Sequence, residues 1–359
     1  MEENKIITVI NAVSPTSMPI NEFLLYRRVN YNEKNGIVLT ISPLKKEYKE
    51  LFSGLEIISV AENPIKVVKY LWANSNALIH MHQPRSAFLV VLITFFLPKR
   101  FKRILTVHNN FEKFKIITRL IIIFNTCFSR KVSFVSLSSY NSFPKIFKKI
   151  FKKKCLPITN GVDINRVNGY LKNKTIRAKN NPKVQLIYIG KLHKQKNHFK
   201  LIDILNKLPE NHVLTIVGEG NDRRIIENKI KQLHLTDRVS ITGIIPREQV
   251  YDLLVDSDIF VSTALWEGMP IGVLEAMSCY LPIVLSDIDP HNEIQDKSSE
   301  SLICDSEDDF KDKILEYSSF SPQKRLELGK ANRSIVEAHF ELASMHKKYD
   351  IIYSELDDY

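Results

Sequence analysis

Cysteine is scarce in this sequence of 359 residues, and the four cysteines are far apart and form no CxxC pair. This spacing argues against a disulfide framework and a cysteine-ligated metal site, and it indicates reduced thiols. Glycine is also sparse, at 11 residues. No G-x-G-x-x-G follows the first apolar run, Ile6–Ile10, which argues against a dinucleotide-dependent dehydrogenase.

Long apolar runs are missing as well. The longest, Ala87 to Leu97, is about half of what a bilayer span requires. The first residues are acidic, and the short apolar run after them leads into a polar loop, so we expect no signal peptide. These absences predict a cytoplasmic protein.

Charge is unevenly distributed along the chain. Residues 1–172 hold 27 Lys and Arg against 10 Asp and Glu, whereas the remainder holds 24 against 30. The first half is therefore strongly basic and the second mildly acidic, and we expect the basic half to face an anionic partner.

Apolar strand patterns alternate with amphipathic helical patterns, which indicates an α/β fold of two doubly wound domains facing a cleft. The expected strands are 6–10, 37–41, 77–80, 104–107, 132–137, 155–158, 184–189, 213–217, 239–242, 259–261 and 282–285. The polar stretch 169–183 reads as a linker, which gives an N-terminal domain over 1–170 and a C-terminal domain over 171–340. A helical tail, 341–359, is expected to pack back on the first domain.

The segment from Trp266 to Met277 carries the strongest chemical signal. It follows a strand and opens a helix, so its glycines and Pro270 allow a tight loop to present backbone N–H groups to an anion. Glu267 and Glu275, separated by seven residues, provide carboxylates suited to sugar hydroxyls. The spacing alone is equally compatible with ordinary surface and helix-start glutamates.

The order of several motifs makes the pattern more specific. Glu267-x7-Glu275 resembles the signature of family 4 retaining glycosyltransferases, the group 1 glycosyl transferases of GT-B fold that include bacterial cell-surface polysaccharide enzymes. Elements in the same order resemble that family at 187–197, 214–220, 239–246 and 257–262, and in the first half at 106–108 and 159–163.

The resemblance implies a site without a metal or other cofactor, in which a nucleotide-sugar is the donor substrate. It assigns catalytic roles to His108, Lys196 and Glu267. It assigns donor binding to Gly190, Lys191, Lys196, Gly243, Ile244, Ile245, Gly268, Met269, Pro270, Ile271, Gly272 and Glu275. The lysines would hold the diphosphate, Glu275 the ribose and Glu267 the transferred sugar, which His108 would touch from the other domain.

Some positions depart from the family pattern. Lys191 stands where an arginine is usual, and the loop 11–21 lacks the expected Gly-Gly. Asn160-Gly161 predicts a turn with a positive φ at the glycine. Asp287-x-Asp289 has the form of a metal-binding motif, but its place after a strand of the second half predicts a chance match.

The basic half contains two dense runs, 98–103 and 145–154. In the second, apolar residues recur at helical spacing between lysines, which is typical of a helix on an anionic membrane surface. A charged helix face over an ordinary core is the alternative. We expect peripheral attachment to the inner face of the cell membrane and no nucleic-acid partner, because no nucleic-acid-binding signature is present.

The resemblance implies a retaining hexosyltransferase that uses a UDP- or GDP-sugar in polysaccharide or O-antigen assembly, and together with the basic half it implies a polyprenyl-diphosphate-linked glycan as the acceptor. A nucleotide-sugar epimerase of the same fold, a basic nucleic-acid-binding protein and an inactive membrane-bound scaffold are the alternatives.

Overall fold

The computed structural model describes residues 5–13, 18–30, 37–46, 52, 54–97, 101–172, 174 and 182–357. The chain divides into two compact units. Unit 1 is Met1–Asn160 together with Met345–Tyr359, and unit 2 is Gly161–Ser344. Each contains one parallel sheet with helices in the connections, as the alternating pattern predicts.

Unit 1 is built on a seven-stranded sheet in the order β3-β2-β1-β4-β5-β6-β7. Its strands are β1 Ile6–Ile10, β2 Ile37–Thr40, β3 Glu56–Ser59, β4 Leu78–Met81, β5 Lys102–Val107, β6 Lys131–Phe134 and β7 Cys155–Pro157. Its helices are α1 Met18–Asn30, α2 Pro64–Ala73, α3 Pro84–Phe95, α4 Ile116–Phe128, α5 Leu137–Asn141, α6 Lys145–Phe151 and, from the chain's last segment, α15 Leu342–Asp357.

Unit 2 contains a six-stranded sheet in the order β10-β9-β8-β11-β12-β13. Its strands are β8 Val184–Ile189, β9 His212–Val217, β10 Val239–Gly243, β11 Ile259–Ser262, β12 Ile283–Ser286 and β13 Ile303–Cys304. Its helices are α7 Ile164–Leu171, α8 His198–Lys207, α9 Arg223–Gln232, α10 Arg247–Asp256, α11 Ile271–Ser278, α12 Asp289–Gln295, α13 Glu307–Ser319 and α14 Pro322–His339.

Both sheets reverse strand order once, between β1 and β4 in unit 1 and between β8 and β11 in unit 2. Open parallel sheets bind ligands beyond the carboxyl ends of the strands at such a reversal. The ends of β4 and β5, and of β8 and β11, are therefore where functional side chains are expected.

The core of each unit consists of buried apolar strands covered by helices. In unit 1 an aromatic series extends from the sheet into the basic region, because the Phe143 ring lies 4.9 Å from Phe134, 4.5 Å from Phe111 and 4.8 Å from Phe147. The short helix α6 is therefore anchored by one buried side chain, Phe147, while Ile146 and Ile150 stay exposed.

Several predicted boundaries were wrong for identifiable reasons. The strand expected over 132–137 ends at Phe134, because the Ser136 hydroxyl accepts a hydrogen bond from Ser139 N and starts α5. The loop expected over 11–21 gives way to α1 at Met18, and its residues 14–17 lie outside the described part. The start of the predicted linker is the end of α7, and most of the linker, 173 and 175–181, also lies outside the described residues.

Gly161 also differs from the expectation, since it is not among the described glycines with a positive φ, Gly54, Gly218 and Gly243. A Cβ at Gly161 would lie 2.5 Å from the carbonyl oxygen of Phe340. The position needs glycine because another backbone passes close to it, not because of its own dihedral angles.

Candidate active site

A buried ion pair lies at the carboxyl ends of β8 and β11 in unit 2. A short 3₁₀ helix, Lys194–Lys196, follows β8, and its last residue places an ammonium against the Glu267 carboxylate. The side chains are 19% and 9% exposed, respectively. Gln195 Nε2 donates to the other oxygen of Glu267 at 3.2 Å and to the Trp266 carbonyl at 2.8 Å. Both carboxylate oxygens are thus held in place.

Glycines let the chain pack closely beneath this pair. A Cβ at Gly190 would lie 3.2 Å from the Lys196 side chain, which crosses over it. At Gly218, where φ is +146°, a Cβ would lie 2.0 Å from the Gly190 carbonyl oxygen, and at Gly220 it would lie 2.3 Å from that of Leu192. The turns after β8 and β9 therefore pack backbone against backbone. This close packing fixes the position of the backbone that leads to Lys196.

Helix α11 starts beside this pair. Pro270 precedes it as the N-cap, and its first residues are buried. The first-turn N–H groups of a helix lack intrahelical partners and favour negative charge. A Cβ at Gly272 would lie 3.2 Å from the carbonyl oxygen of Ile189, so glycine lets α11 approach the end of β8.

Glu275, in α11, is 2% exposed and forms an ion pair with Arg247. Arg247 opens α10 directly after the segment Gly243–Pro246, in which Gly243 has a φ of +73° and Ile244 is 55% exposed. The ion pair thus connects the segment predicted to line the base with the carboxylate predicted to bind the ribose.

The second predicted lysine, Lys191, is exposed at the end of β8. Desolvation and then the positive charge of Lys196 lower the pKa of Lys191. A lysine whose charged form is disfavoured by desolvation and by a neighbouring positive charge is stabilised by an anion beside it. This edge of unit 2 therefore suits a phosphate or diphosphate.

In unit 1, His108 lies one residue beyond β5, and His82 one residue beyond β4. His82 Nδ1 and His108 Nε2 are 3.2 Å apart and share a hydrogen bond. Burial lowers the pKa of His108 to about 4, and burial followed by the neighbouring histidines holds the pKa of His82 well below its ordinary value. Both imidazoles are neutral at neutral pH.

A buried polar network lies beneath these two histidines. His80 makes 2.7 Å hydrogen bonds through Nδ1 to the Tyr353 hydroxyl and through Nε2 to Thr106 Oγ1. Thr106 Oγ1 lies 2.7 Å from Ser133 Oγ, which lies 3.0 Å from the Tyr349 hydroxyl. Tyr349 and Tyr353 belong to α15, so this helix is hydrogen-bonded to the side chains of β4, β5 and β6.

The sequence of unit 2 has clear relatives. Residues 171–335 match the family of glycosyl transferases group 1. A segment of 148 residues is 34% identical to UDP-Gal:alpha-D-GlcNAc-diphosphoundecaprenol alpha-1,3-galactosyltransferase of Escherichia coli, covering 38% of this chain and 37% of that protein. This chain carries a glycosyl transferases group 1 domain. The predicted likeness to group 1 glycosyl transferases is confirmed for residues 171–335.

A further relative of this chain is the amylovoran biosynthesis glycosyltransferase AmsD of Erwinia amylovora. It is 29% identical over 104 residues, which cover 29% of each protein. The matched segments thus span about a third of the length of these curated relatives. The group 1 match, residues 171–335, includes the 3₁₀ helix and α11.

Solved structures extend the likeness beyond the group 1 domain to the whole chain. Anabaena Alr3699/HepE in complex with UDP and glucose superposes with a TM-score of 0.79 at 16% identity, covering 98% of this chain and 100% of that one. Sucrose-phosphate synthase from Thermosynechococcus elongatus gives 0.78 at 16% identity, covering 98% and 99%. At these identities the likeness shows the fold, and the GT-B fold with two Rossmann-like domains is confirmed.

The structure brings together most of the predicted residues of the group 1 domain. Lys196 and Glu267 are in contact, and Gly190 and the start of α11 adjoin them. Two residues that the sequence analysis missed contact predicted site residues, Arg247 on Glu275 and His82 on His108. His80-x-His82 carried a usable signal, because alternate residues of a strand share one face.

The Asp-x-Asp motif lies after β12. Asp287 accepts a 2.7 Å hydrogen bond from Asn292 Nδ2, and Asp289 is the first residue of α12. Within the residues that the structure describes, no group of three or more His, Cys, Asp or Glu is arranged to hold a metal ion. The four cysteines are free thiols.

Proposed function

We propose that the chain is a retaining, metal-independent glycosyltransferase that moves a hexose-type sugar from a UDP- or GDP-sugar to a lipid-linked glycan in polysaccharide or O-antigen assembly. The observation that carries this proposal is the Lys196–Glu267 pair, fixed at the strand-order reversal of a group 1 domain beside the start of α11. Such an arrangement offers one cation to a diphosphate and one carboxylate to sugar hydroxyls.

In this proposal the chemistry consists of charge stabilisation and positioning. The bond from the anomeric carbon to the diphosphate oxygen breaks, and its electron pair leaves with the diphosphate. Lys191 and Lys196 stabilise that charge, together with the N–H groups at the start of α11. The acceptor hydroxyl oxygen bonds to the anomeric carbon on the same face and gives its proton to the departing diphosphate.

The remaining groups hold the donor. Glu267 accepts hydrogen bonds from the hydroxyls of the transferred sugar, and Glu275 accepts those of the ribose. Residues 243–245 line the base, and His108 touches the sugar. Groups that are already held in place lower the activation barrier, because they do not have to reorient as charge develops in the transition state.

The proposed acceptor is supported by the relatives and by charge. The E. coli relative is named for transfer to a GlcNAc-diphosphoundecaprenol, a lipid-linked acceptor. The basic half of this chain suits the diphosphate of such a lipid and the anionic surface in which it resides. Within the described residues no helix is long and apolar enough to cross a bilayer.

A basic and apolar surface of unit 1 supports peripheral attachment at the inner face of the membrane. In α6, Ile146 and Ile150 are 69% and 66% exposed among lysines. At the start of α4, Ile116, Ile117 and Leu120 are 73%, 73% and 61% exposed. Exposed isoleucines flanked by lysines match an anionic lipid surface. The other basic run, 98–103, lies partly outside the described residues.

Calorimetric binding of UDP, GDP and a short DNA duplex in EDTA tests the donor site. We expect one nucleoside diphosphate to bind wild-type protein and to bind Lys196→Ala about 30- to 100-fold more weakly, as the loss of a charged hydrogen bond requires. Lys229→Ala is the matched control, because Lys229 is also 19% exposed and pairs with Asp203 at 2.5 Å between α8 and α9. DNA binding without nucleotide binding would overturn the proposal.

Turnover is measured with UDP-glucose, UDP-galactose and GDP-mannose on polyprenyl-diphosphate-linked glycans. Retention is read from the anomeric coupling of the product, and an inverted anomer contradicts the mechanism. Conversion of donor without acceptor identifies an epimerase instead.

Co-sedimentation with phosphatidylglycerol vesicles tests membrane attachment. The double variant Ile146→Ser/Ile150→Ser is expected to bind the vesicles more weakly. Ile351→Ser, on α15 and 60% exposed, is the control.

A further inference from the structure

The hydrogen bond between His82 and His108 has a direction that the surrounding contacts determine. His82 is 2% exposed, and its Nε2 is buried without a hydrogen-bond partner among the described residues. His108 is partly exposed, and within the same residues its only hydrogen bond is the one from Nε2 to His82. Nδ1 of His108 is therefore the ring atom left for a ligand.

Two neutral arrangements satisfy the 3.2 Å contact. If His108 donates through Nε2–H, His82 accepts at Nδ1 and must carry its own proton on Nε2, which is an orphaned buried N–H. If His82 donates through Nδ1–H, its Nε2 is an unprotonated nitrogen and no buried N–H is left without an acceptor. A buried N–H group without an acceptor is rarer in proteins than a buried acceptor without a donor. The second arrangement is therefore favoured.

Neighbouring rings hold His82 in the orientation that this requires. His80 stacks on His82 with 4.1 Å between ring centroids, and Phe23 lies 4.6 Å from it. Both ring nitrogens of His80 are already occupied by Tyr353 and Thr106, so His80 offers His82 no alternative partner. The backbone N–H of His82 donates to the Val9 carbonyl at 2.9 Å, which anchors the residue at the end of β4.

We propose that His82 is a positioning residue that donates from Nδ1 to His108 Nε2 and thereby fixes His108 as the tautomer protonated on Nδ1. His108 then presents a hydrogen-bond donor to its ligand, and an oxygen of the transferred sugar is the acceptor that it fits. The assignment of the ligand rests on the proposed function, whereas the tautomer rests on the geometry alone. In a neutral imidazole a ring nitrogen that accepts a hydrogen bond is unprotonated, so the proton lies on the other nitrogen.

Nitrogen-15 NMR of histidine-labelled protein tests the tautomer without any ligand or turnover. The His108 signals are assigned by their disappearance in His108→Gln. We expect the shift of a protonated nitrogen at Nδ1 and of an unprotonated nitrogen at Nε2. A protonated Nε2 in the wild-type protein would overturn the inference.

Two substitutions separate the hydrogen bond from packing. In His82→Asn the amide nitrogen takes about the place of Nδ1 and keeps the donor, whereas in His82→Gln it takes about the place of Nε2. We expect the Asn variant to keep the His108 tautomer and a kcat within about threefold of wild type. The Gln variant is expected to lose the tautomer and about 10- to 100-fold in kcat, with the donor KM changed less than about threefold.

Thermal unfolding of both variants monitors folding, and His212→Gln is the control. His212 is equally buried and bonds Ser318 Oγ at 3.0 Å, but it begins β9 in the other unit, far along the chain from either histidine. Equal losses in the Asn and Gln variants, with an unchanged His108 signal, would mean that His82 only packs, and the inference would fall. Wild-type turnover in His108→Ala would overturn the role of His108, while the NMR result would still stand or fall by itself.

Discussion

Replacing Lys196 by methionine is expected to destabilise unit 2 before any ligand is considered. Removing one partner of a fully buried ion pair costs about 3 to 5 kcal/mol, because the remaining charge stays desolvated. Lys196 is 19% exposed and Glu267 9%, so water compensates in part. We therefore expect a loss of about 2 to 3 kcal/mol in the free energy of unfolding.

The double variant Lys196→Met/Glu267→Gln identifies the cause. A neutral amide at position 267 leaves no unpaired charge, and Gln195 Nε2 still finds an amide oxygen where it donated to the carboxylate. We expect the double variant to recover to within about 1 kcal/mol of wild type. Lys229→Met is the control, since its partner Asp203 is 36% exposed and the loss should stay below about 1 kcal/mol.

Urea unfolding followed by tryptophan fluorescence measures these differences. The sequence has two tryptophans, Trp72 in unit 1 and Trp266 beside Glu267, so a Trp72→Phe background reports on unit 2. At a slope of about 2 kcal/mol per molar urea, the single variant shifts the midpoint down by about 1 to 1.5 M. Equal midpoints for the single and double variants would refute the reasoning, because an unpaired carboxylate would then not be the source of the loss.

Four further predictions concern glycine positions, one carboxylate and two buried histidines. Gly218→Ala should destabilise by about 2 to 4 kcal/mol in the same urea assay, because its Cβ would lie 2.0 Å from a carbonyl oxygen at a φ of +146°. Gly169→Ala, in a helix with nothing within 4 Å, should instead stabilise by about 0.5 to 1 kcal/mol, and equal effects would contradict both. Glu275→Gln should weaken nucleoside diphosphate binding about tenfold by calorimetry, because a neutral amide accepts a weaker hydrogen bond from ribose; unchanged affinity would remove Glu275 from the site. Burial lowers the pKa of His198 and His291 to about 4, below the 6.5 of an unfolded histidine. The stability that these two neutral histidines contribute is fully present above pH 6.5 and is lost as the pH falls toward 4. At pH 5 each should have lost about 2 kcal/mol of the free energy of unfolding, so a urea midpoint that does not change between pH 7 and pH 5 would contradict this prediction.

Most strands were predictable, and two short edge strands were not. Val184–Ile189 was located to the residue, because a β-branched run buried on both faces has a strong apolar pattern. Glu56–Ser59 and Ile303–Cys304 escaped, because they lie at sheet edges and contain few apolar residues. Their pairing depends on neighbouring strands that a local pattern does not contain.

The site was predictable only as a set of residues. The motif order identified Lys196 and Glu267, but their ion pair depends on the 3₁₀ helix that turns Lys196 toward the end of β11. Arg247 was missed, because nothing in its local sequence indicates that it contacts a helix that starts more than twenty residues later. The ion pairs of the site join residues that are distant in sequence. A single sequence shows which residues are present but not which of them form pairs.

The helix that supplies Tyr349 and Tyr353 to the buried network of unit 1 is made after the whole of unit 2. During synthesis the strands of unit 1 are therefore the first to appear, but His80 and Ser133 lack these partners until the chain has returned. Unit 2 is continuous in sequence and needs no later segment to complete it. Domains of a growing chain commonly fold in the order of their synthesis, and here we expect the order of completion to be reversed.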